Sequence, residues 1–321
     1  MVEDSMVRWL AMIAALLVTA VACGRGEAAQ SSAAPADFWA AAPQNTAQYW
    51  SVYERARAID PCALLPRAGL APLGAVRTVA VKGLDSCAAE LDSDQPRGVV
   101  RVDLRVLAGT VDELGARVGT TKHFDGATAL VIADKDTRAD KQVPPTGDRA
   151  CTVNTKFPAH AGFSISVTVP RGIEPCPAAE AVSRTAVAAW KQQPRQEDSI
   201  PTVRTVLTGA DPCAVTPRLA ATVDPDKQQL YACALPYGGT EFALLYEYQS
   251  QRALEAGEPV LIADHTVYRH EGNGSPYLEV QVGPAYADGE DGPLAPAVWL
   301  GGKDESSLVQ IMYQVLQLFP N

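Results

Sequence analysis

The chain has 321 residues, 47% of them hydrophobic and 20% charged, with a formal net charge of -10. That is ordinary globular material, long enough for two cores of typical domain size. The acidic balance disfavours phosphate backbones and anionic lipid surfaces, so nucleic acid is not an expected partner.

Trp9 to Ala22 form an unbroken run of apolar and small side chains between Arg8 and Cys23. A bilayer span needs about 20 apolar residues, so this shorter run reads as an export signal over residues 1–22 that is cleaved off. Glu3 and Asp4 fit poorly in a segment that should be positive, which makes Met6 a candidate translation start beside Met1. Val18-Thr19-Ala20-Val21-Ala22-Cys23 resembles the bacterial lipobox, with Ala20 where Leu is usual. The resemblance implies a lipid thioether and palmitate on Cys23, and anchoring to the outer face of the cell membrane. Residues 23–43 then read as a lipidated tether, because Gly24 to Ala36 offers nothing to bury. Phe38, Trp39, Tyr49, Trp50 and Tyr53 follow closely, and Thr46 to Arg57 is expected to be a helix docked on the first domain.

Seven cysteines leave six once Cys23 is set aside. In an oxidising compartment an even set reads as a disulfide framework, and no Cys-x-x-Cys pair suggests redox or zinc chemistry. Six cysteines allow 15 pairings. Pairing sequence neighbours gives Cys62 with Cys87, Cys151 with Cys176, and Cys213 with Cys233.

An internal repeat supports that choice. Asp60-Pro61-Cys62-Ala63 with Pro66-Arg67 recurs as Asp211-Pro212-Cys213-Ala214 with Pro217-Arg218. Cys87-Ala88 matches Cys233-Ala234. Further landmarks pair Val131-Ile132-Ala133-Asp134 with Leu261-Ile262-Ala263-Asp264, and Val167 to Pro170 with Val280 to Pro284. Each copy closes on a helical pattern. In the second, Leu308, Ile311, Met312, Val315, Leu316 and Phe319 form one apolar stripe behind N-cap candidates at Asp304 to Ser307. In the first, Ala179, Val182, Ala186 and Trp190 share one side. Alternating runs such as Val99 to Leu104 and Phe163 to Val169 read as half-buried strands. The expected fold is α+β, with two related domains at 44–196 and 199–321. Each is a short cysteine-bearing helix, an antiparallel sheet and a covering helix. The polar stretch Gln192 to Ser199 marks the boundary.

The Asp-Pro-Cys-Ala opening, a second cysteine some two dozen residues later, and the preceding lipobox resemble actinobacterial envelope lipoproteins that carry the domain of unknown function 3558. The matching positions are Asp60, Pro61, Cys62 and Cys87, then Asp211, Pro212, Cys213 and Cys233. The resemblance implies an outward-facing lipoprotein with a helix-capped sheet, and no particular activity. Cys151 and Cys176 depart from the single-domain pattern.

No local motif announces catalysis. There is no Gly-x-Ser-x-Gly elbow, no His-Glu-x-x-His and no phosphate loop, so no nucleotide cofactor is expected. The histidines are His123, His160, His265 and His270. The last two, five apart on a strand, would face opposite ways and not share a metal. The acidic stretches Asp92-Ser93-Asp94 and Asp288-Gly289-Glu290-Asp291-Gly292 lack an EF-hand pattern and read as solvated turns. Asp134 and Asp264, each ending an Ile-Ala-Asp landmark, are candidate ligand-binding carboxylates. A turn role competes with that one. The function expected is a non-enzymatic envelope lipoprotein that binds or scaffolds a protein, peptidoglycan or glycolipid partner. Carriage of an apolar ligand between sheet and helix, or an unrecognised hydrolase, are the alternatives.

Overall fold

Alternating apolar residues in the first half build β1 (Val76–Gly83), β2 (Ser86–Leu91), β3 (Arg101–Ala108), β4 (Thr120–Phe124), β5 (Ala127–Ala133), β6 (Arg149–Lys156) and β7 (Ala161–Val169). They form one antiparallel sheet ordered β1-β2-β3-β7-β6-β5-β4. The second half supplies β8 (Ala232–Tyr237), β9 (Thr240–Ser250), β10 (Glu258–Ile262), β11 (His265–Gly272), β12 (Ser275–Gln281), β13 (Ala287–Gly289) and β14 (Gly292–Gly301). Their order is β10-β11-β12-β14-β9-β8, with β13 paired to β14. The helices are α1 (Thr46–Arg57), α2 (Arg67–Leu70), α3 (Cys176–Lys191), α4 (Gln251–Leu254) and α5 (Glu305–Leu316). This is a computed structural model that describes residues 38–92, 98–109, 118–137, 147–272, 274–289 and 292–320. The expected signal segment 1–22, Cys23, the expected tether up to residue 37, Ser93-Asp94 and Glu290-Asp291 lie outside the described residues.

The α+β reading holds, with each sheet covered by a closing helix. α3 packs Ala179, Val182, Ala186 and Trp190 onto the first sheet, all no more than 2% exposed. Trp190 is the centre of an aromatic cluster, 5.0 Å from Trp39, 5.2 Å from Phe157 and 5.9 Å from Phe163 between ring centroids. Cutting such a buried ring to Ala costs about 3–5 kcal/mol. Trp39 therefore belongs to the core, and the tether expected to reach residue 43 ends before it. α5 begins at Asp304, whose carboxylate accepts from Ser307 N, and buries Leu308, Ile311, Met312, Val315 and Leu316.

Three disulfides close between the neighbours expected from sequence. Cys62–Cys87 and Cys151–Cys176 span 25 residues and Cys213–Cys233 spans 20. The first ties the Asp-Pro-Cys segment to β2 and the third ties its counterpart to β8; the second ties β6 to the start of α3. The expected cysteine-bearing helix is a 3-10 helix (Pro212–Leu219) in copy two, but Cys62 of copy one sits in a turn ahead of α2. In both, the Asp carboxylate accepts the Cys N–H two residues on, at 2.9 Å from Asp60 and 3.0 Å from Asp211. Pro between them carries no N–H to compete, so the motif is a turn-forming device.

Leaving out β1 and β13, the two sheets have the same strand order: β2-β3-β7-β6-β5-β4 against β8-β9-β14-β12-β11-β10. Their registers agree as well. The row Cys87, Leu104, Ile165, Val153, Val131 crosses the first sheet. The row Cys233, Leu244, Leu300, Leu278, Arg269 crosses the second. This register corrects part of the sequence alignment. The hairpin Phe124-Asp125-Gly126-Ala127 corresponds to Ile262-Ala263-Asp264-His265, and both turn on left-handed residues, with φ 42° and 85° against 49° and 64°. Asp264 thus matches Gly126 and not Asp134. Likewise Val280 lies in β12, whereas the true counterpart of β7 is β14.

Residues 39–321 form one compact unit. Gln192 to Ser199 is not a loose boundary: Ile59 and Arg195 form a β-bridge, and Asp60 N donates to Pro194 O. Nor does α1 dock on the first half alone. Tyr53 Oη donates to Pro225 O at 2.9 Å or Gln228 O at 2.8 Å, and Arg57, 4% exposed, reaches Leu230 O and Asp211.

Candidate functional site

A cleft of about 660 Å³ lies where the two copies meet. That is within the usual range for ligand sites, which favour such junctions. Its walls are equivalent segments. Gly83 to Ser86 and Arg105 to Ala108 come from copy one; Gln229 to Ala232 and Leu245 to Tyr248 come from copy two. The register makes them counterparts, and one backbone bond repeats: Val106 N donates to Asp85 O at 2.7 Å, Tyr246 N to Tyr231 O at 2.9 Å.

The side chains on those matched walls have diverged. Copy one offers Asp85 and Arg105, joined by a 2.7 Å bond from Arg105 Nε to Asp85 Oδ2, with exposed Lys82 at the rim from β1. Asp85 is 12% exposed and Arg105 61%, so the carboxylate anchors a cation that faces solvent. Burial pushes the Asp85 carboxyl up, and Arg105 opposes that shift. Copy two offers Tyr231, Tyr248 and Glu247 instead, and burial raises the Glu247 carboxyl too. One wall carries two cations and a carboxylate; the other carries Glu247 and two tyrosines whose hydroxyls bond Arg57 O and Thr205 Oγ1. β1, which has no counterpart in copy two, carries Lys82 and leads into the turn that forms the charged wall.

The outer face of the second sheet leads away from this cleft. Leu245 and Glu247 of β9 line the cleft, and Ala243, next outward on the same strand, lines a groove of about 540 Å³ with Tyr277 and Trp299. Tyr277 stacks on His270 at 4.9 Å and lies 5.5 Å from Trp299. His270 Nε2 is 3.1 Å from Glu279 Oε2, and both side chains are at most 12% exposed. Burial pushes the Glu279 carboxyl up to about 7, helped by Glu247, and lowers His270, so each is drawn toward its neutral form.

The carboxylates singled out from sequence do other work. Asp134 ends β5 and receives Arg149 Nε at 3.1 Å and Nη2 at 3.0 Å, and Arg149 in turn holds Glu174. Asp264 sits in the β10–β11 hairpin, and the two are not brought together. His265 opens β11 beside that hairpin, while His270 faces Glu279. Among the described residues no three His, Cys, Asp or Glu side chains gather as a metal site. Trp299, Tyr277, Arg105 and Tyr248 escaped the sequence reading. Their only sequence signal is an aromatic or charged residue at alternate strand positions, which half-buried strands also show.

No protein-family model, curated protein or solved structure matches the chain.

Proposed function

We propose that the protein is an extracytoplasmic binding protein without catalytic activity, anchored through lipid on Cys23, that holds a cell-envelope ligand in the cleft between its two copies. The observation that carries this reading is the matched pair of walls with diverged side chains. Equivalent backbone segments face each other, yet one carries Lys82, Asp85 and Arg105 and the other Glu247 between Tyr231 and Tyr248, whose hydroxyls bond Arg57 O and Thr205 Oγ1. A wall kept only to join the copies would favour apolar contact, as permanent interfaces do. The three disulfides fit an oxidising, extracytoplasmic compartment, and the lipobox and Asp-Pro-Cys resemblance agree with an envelope address. The carrier alternative loses support because the space between each sheet and its closing helix is filled by the protein's own side chains, Trp190 and Met312 among them.

A photoreactive residue placed at Lys82 tests the reading in intact cells. Adducts of defined mass should form from position 82 and not from exposed Thr128, far along the first sheet. Equal labelling from both positions, or none from 82, would remove the cleft as the binding site.

A further inference from the structure

The duplication supplies an internal control for the outer face of the second sheet. Aligned by register, Trp299 takes the place of Ser164, Tyr277 of Thr152, Glu279 of Asn154 and His270 of Ile132. Copy one builds the same strands with mostly small polar residues at these positions, so the fold does not require aromatic rings there. Copy two nevertheless places three rings across β11, β12 and β14.

Local details keep the far end of that face open. A side chain at Gly301 would collide with the Trp299 ring, 2.1 Å from its nearest atom, so glycine lets the indole lie along its own strand. Gly272, Gly301 and Gly302 line the same groove as Trp299 and Tyr277, together with exposed Glu241 and Lys303. At the other end, Leu254 of α4 covers Ala295 and Ala297. The open path therefore runs from the groove to the cleft past Ala243, Leu245 and Glu247. At about 3.3 Å per residue these span roughly 13 Å.

We infer that cleft and groove form one binding site for an oligosaccharide, with Trp299 and Tyr277 as the stacking platform and the cleft's charged groups binding the rim hydroxyls. A sugar ring has C–H faces that pack on aromatic rings and an edge of hydroxyls that needs donors and acceptors. The site offers both in that order: flat rings with polar tips, then Glu247, Arg105 and Lys82 as acceptor and donors. A path of this length accommodates a chain of sugars better than a single one. A purely apolar ligand would strip water from the exposed cations Lys82 and Arg105 and return no hydrogen bond, at a desolvation cost.

This inference rests on the binding reading above, and its test separates the two. The full chain, exported with Cys23→Ser, is screened on an array of bacterial-type and plant-type oligosaccharides, and the best binder is titrated by calorimetry. The wild type should bind an oligosaccharide more tightly than its monosaccharide. Trp299→Ala should weaken binding by about tenfold, Trp299→Phe by less than about threefold, and Ser164→Ala not at all. Near-ultraviolet dichroism checks the fold, and if Trp299→Ala is destabilised, Tyr277→Leu should show the same loss of affinity. No bound oligosaccharide, or equal affinity in the ring-removing variants, would overturn the inference. Adducts still forming at position 82 would then leave a cleft ligand of other chemistry, and their absence would sink both readings.

Discussion

Asp60 and Ser199 are 139 residues apart in the chain and are joined by two hydrogen bonds, from Ser199 N and Ser199 Oγ to Asp60 Oδ2, each 2.8 Å. Thr202 Oγ1 adds a bond of 2.7 Å to Oδ1, which also accepts from Cys62 N and Ala63 N. Asp60 is 0% exposed. Its counterpart Asp211 is 37% exposed at the side chain and, besides capping Cys213 N, pairs with Arg57 at 3.4 Å. The same motif residue is thus a buried hub in one copy and an ordinary cap in the other.

Asp60→Ala should therefore cost far more than Asp211→Ala. Buried donors left without an acceptor are expensive, so the first should lose about 3–5 kcal/mol. The second should lose about 1–2 kcal/mol, the range of a lost cap. Urea unfolding of both variants against the wild type checks the order, and equal losses would mean that Asp60 is no hub.

The disulfides make a second test. Non-reducing peptide mapping should recover Cys62–Cys87, Cys151–Cys176 and Cys213–Cys233. The double change Cys213→Ala with Cys233→Ala frees a loop of 20 residues and should cost roughly 3 kcal/mol, a large share of a typical 5–15 kcal/mol stability. Residues 199–321 expressed alone lose the bonds from Tyr53, Arg57 and Asp60. They should melt below the whole chain even with Cys213–Cys233 closed, which parallel thermal melts will show.

Glu279 should imprint a pH dependence. Its folded carboxyl is pushed up to about 7 by burial, above the ordinary value of 4.5. The folded state thus holds this proton more tightly than the unfolded chain, and its contribution to stability falls as pH rises from about 4.5 to 7. Glu279→Gln removes that loss. Relative to wild type, the variant should gain about 1–3 kcal/mol on going from pH 5 to pH 8, as urea midpoints at the two pH values would record. His270, lowered by burial, acts in the opposite sense below its ordinary value of 6.5, so comparison with His270→Gln separates the two groups. A constant difference between Glu279→Gln and wild type would show that the carboxyl is ionised throughout.

Anchoring is tested at Cys23. Cys23→Ser should move the protein from the membrane fraction to soluble material. A variant that stays membrane-bound with its apolar segment uncleaved would make that segment the anchor.

What could be read from the sequence follows from how local each signal is. α1 matches the expected span Thr46 to Arg57, and the stripe of α5 points inward as its spacing requires, because helical periodicity is written in neighbouring residues. The disulfides were legible because Cys62 and Cys213 open equivalent motifs. Strand correspondence was not. Ile132-Ala133-Asp134 and Ile262-Ala263-Asp264 look alike because apolar strands often end in turn-forming Asp, yet the pairing register, set by distant residues, puts them one strand apart. The cleft was illegible for the same reason: Arg105 and Glu247 line one opening only through the approach of two sheets. Arg57 and Asp60, which stitch the copies together, carry no local sign that their partners lie beyond residue 194.

Those stitches bear on how a ligand would be captured. With Asp60 fastened to Ser199 and Thr202, and Tyr53 to Gln228, the two copies are tied to each other by side-chain bonds that resist a hinge motion of the cleft walls. Recognition should then proceed as rigid docking, with little ordering entropy lost on binding. Capture should be a single-step process that tracks ligand concentration linearly, free of the plateau that a closing motion imposes, and residence time should set the differences in affinity among ligands.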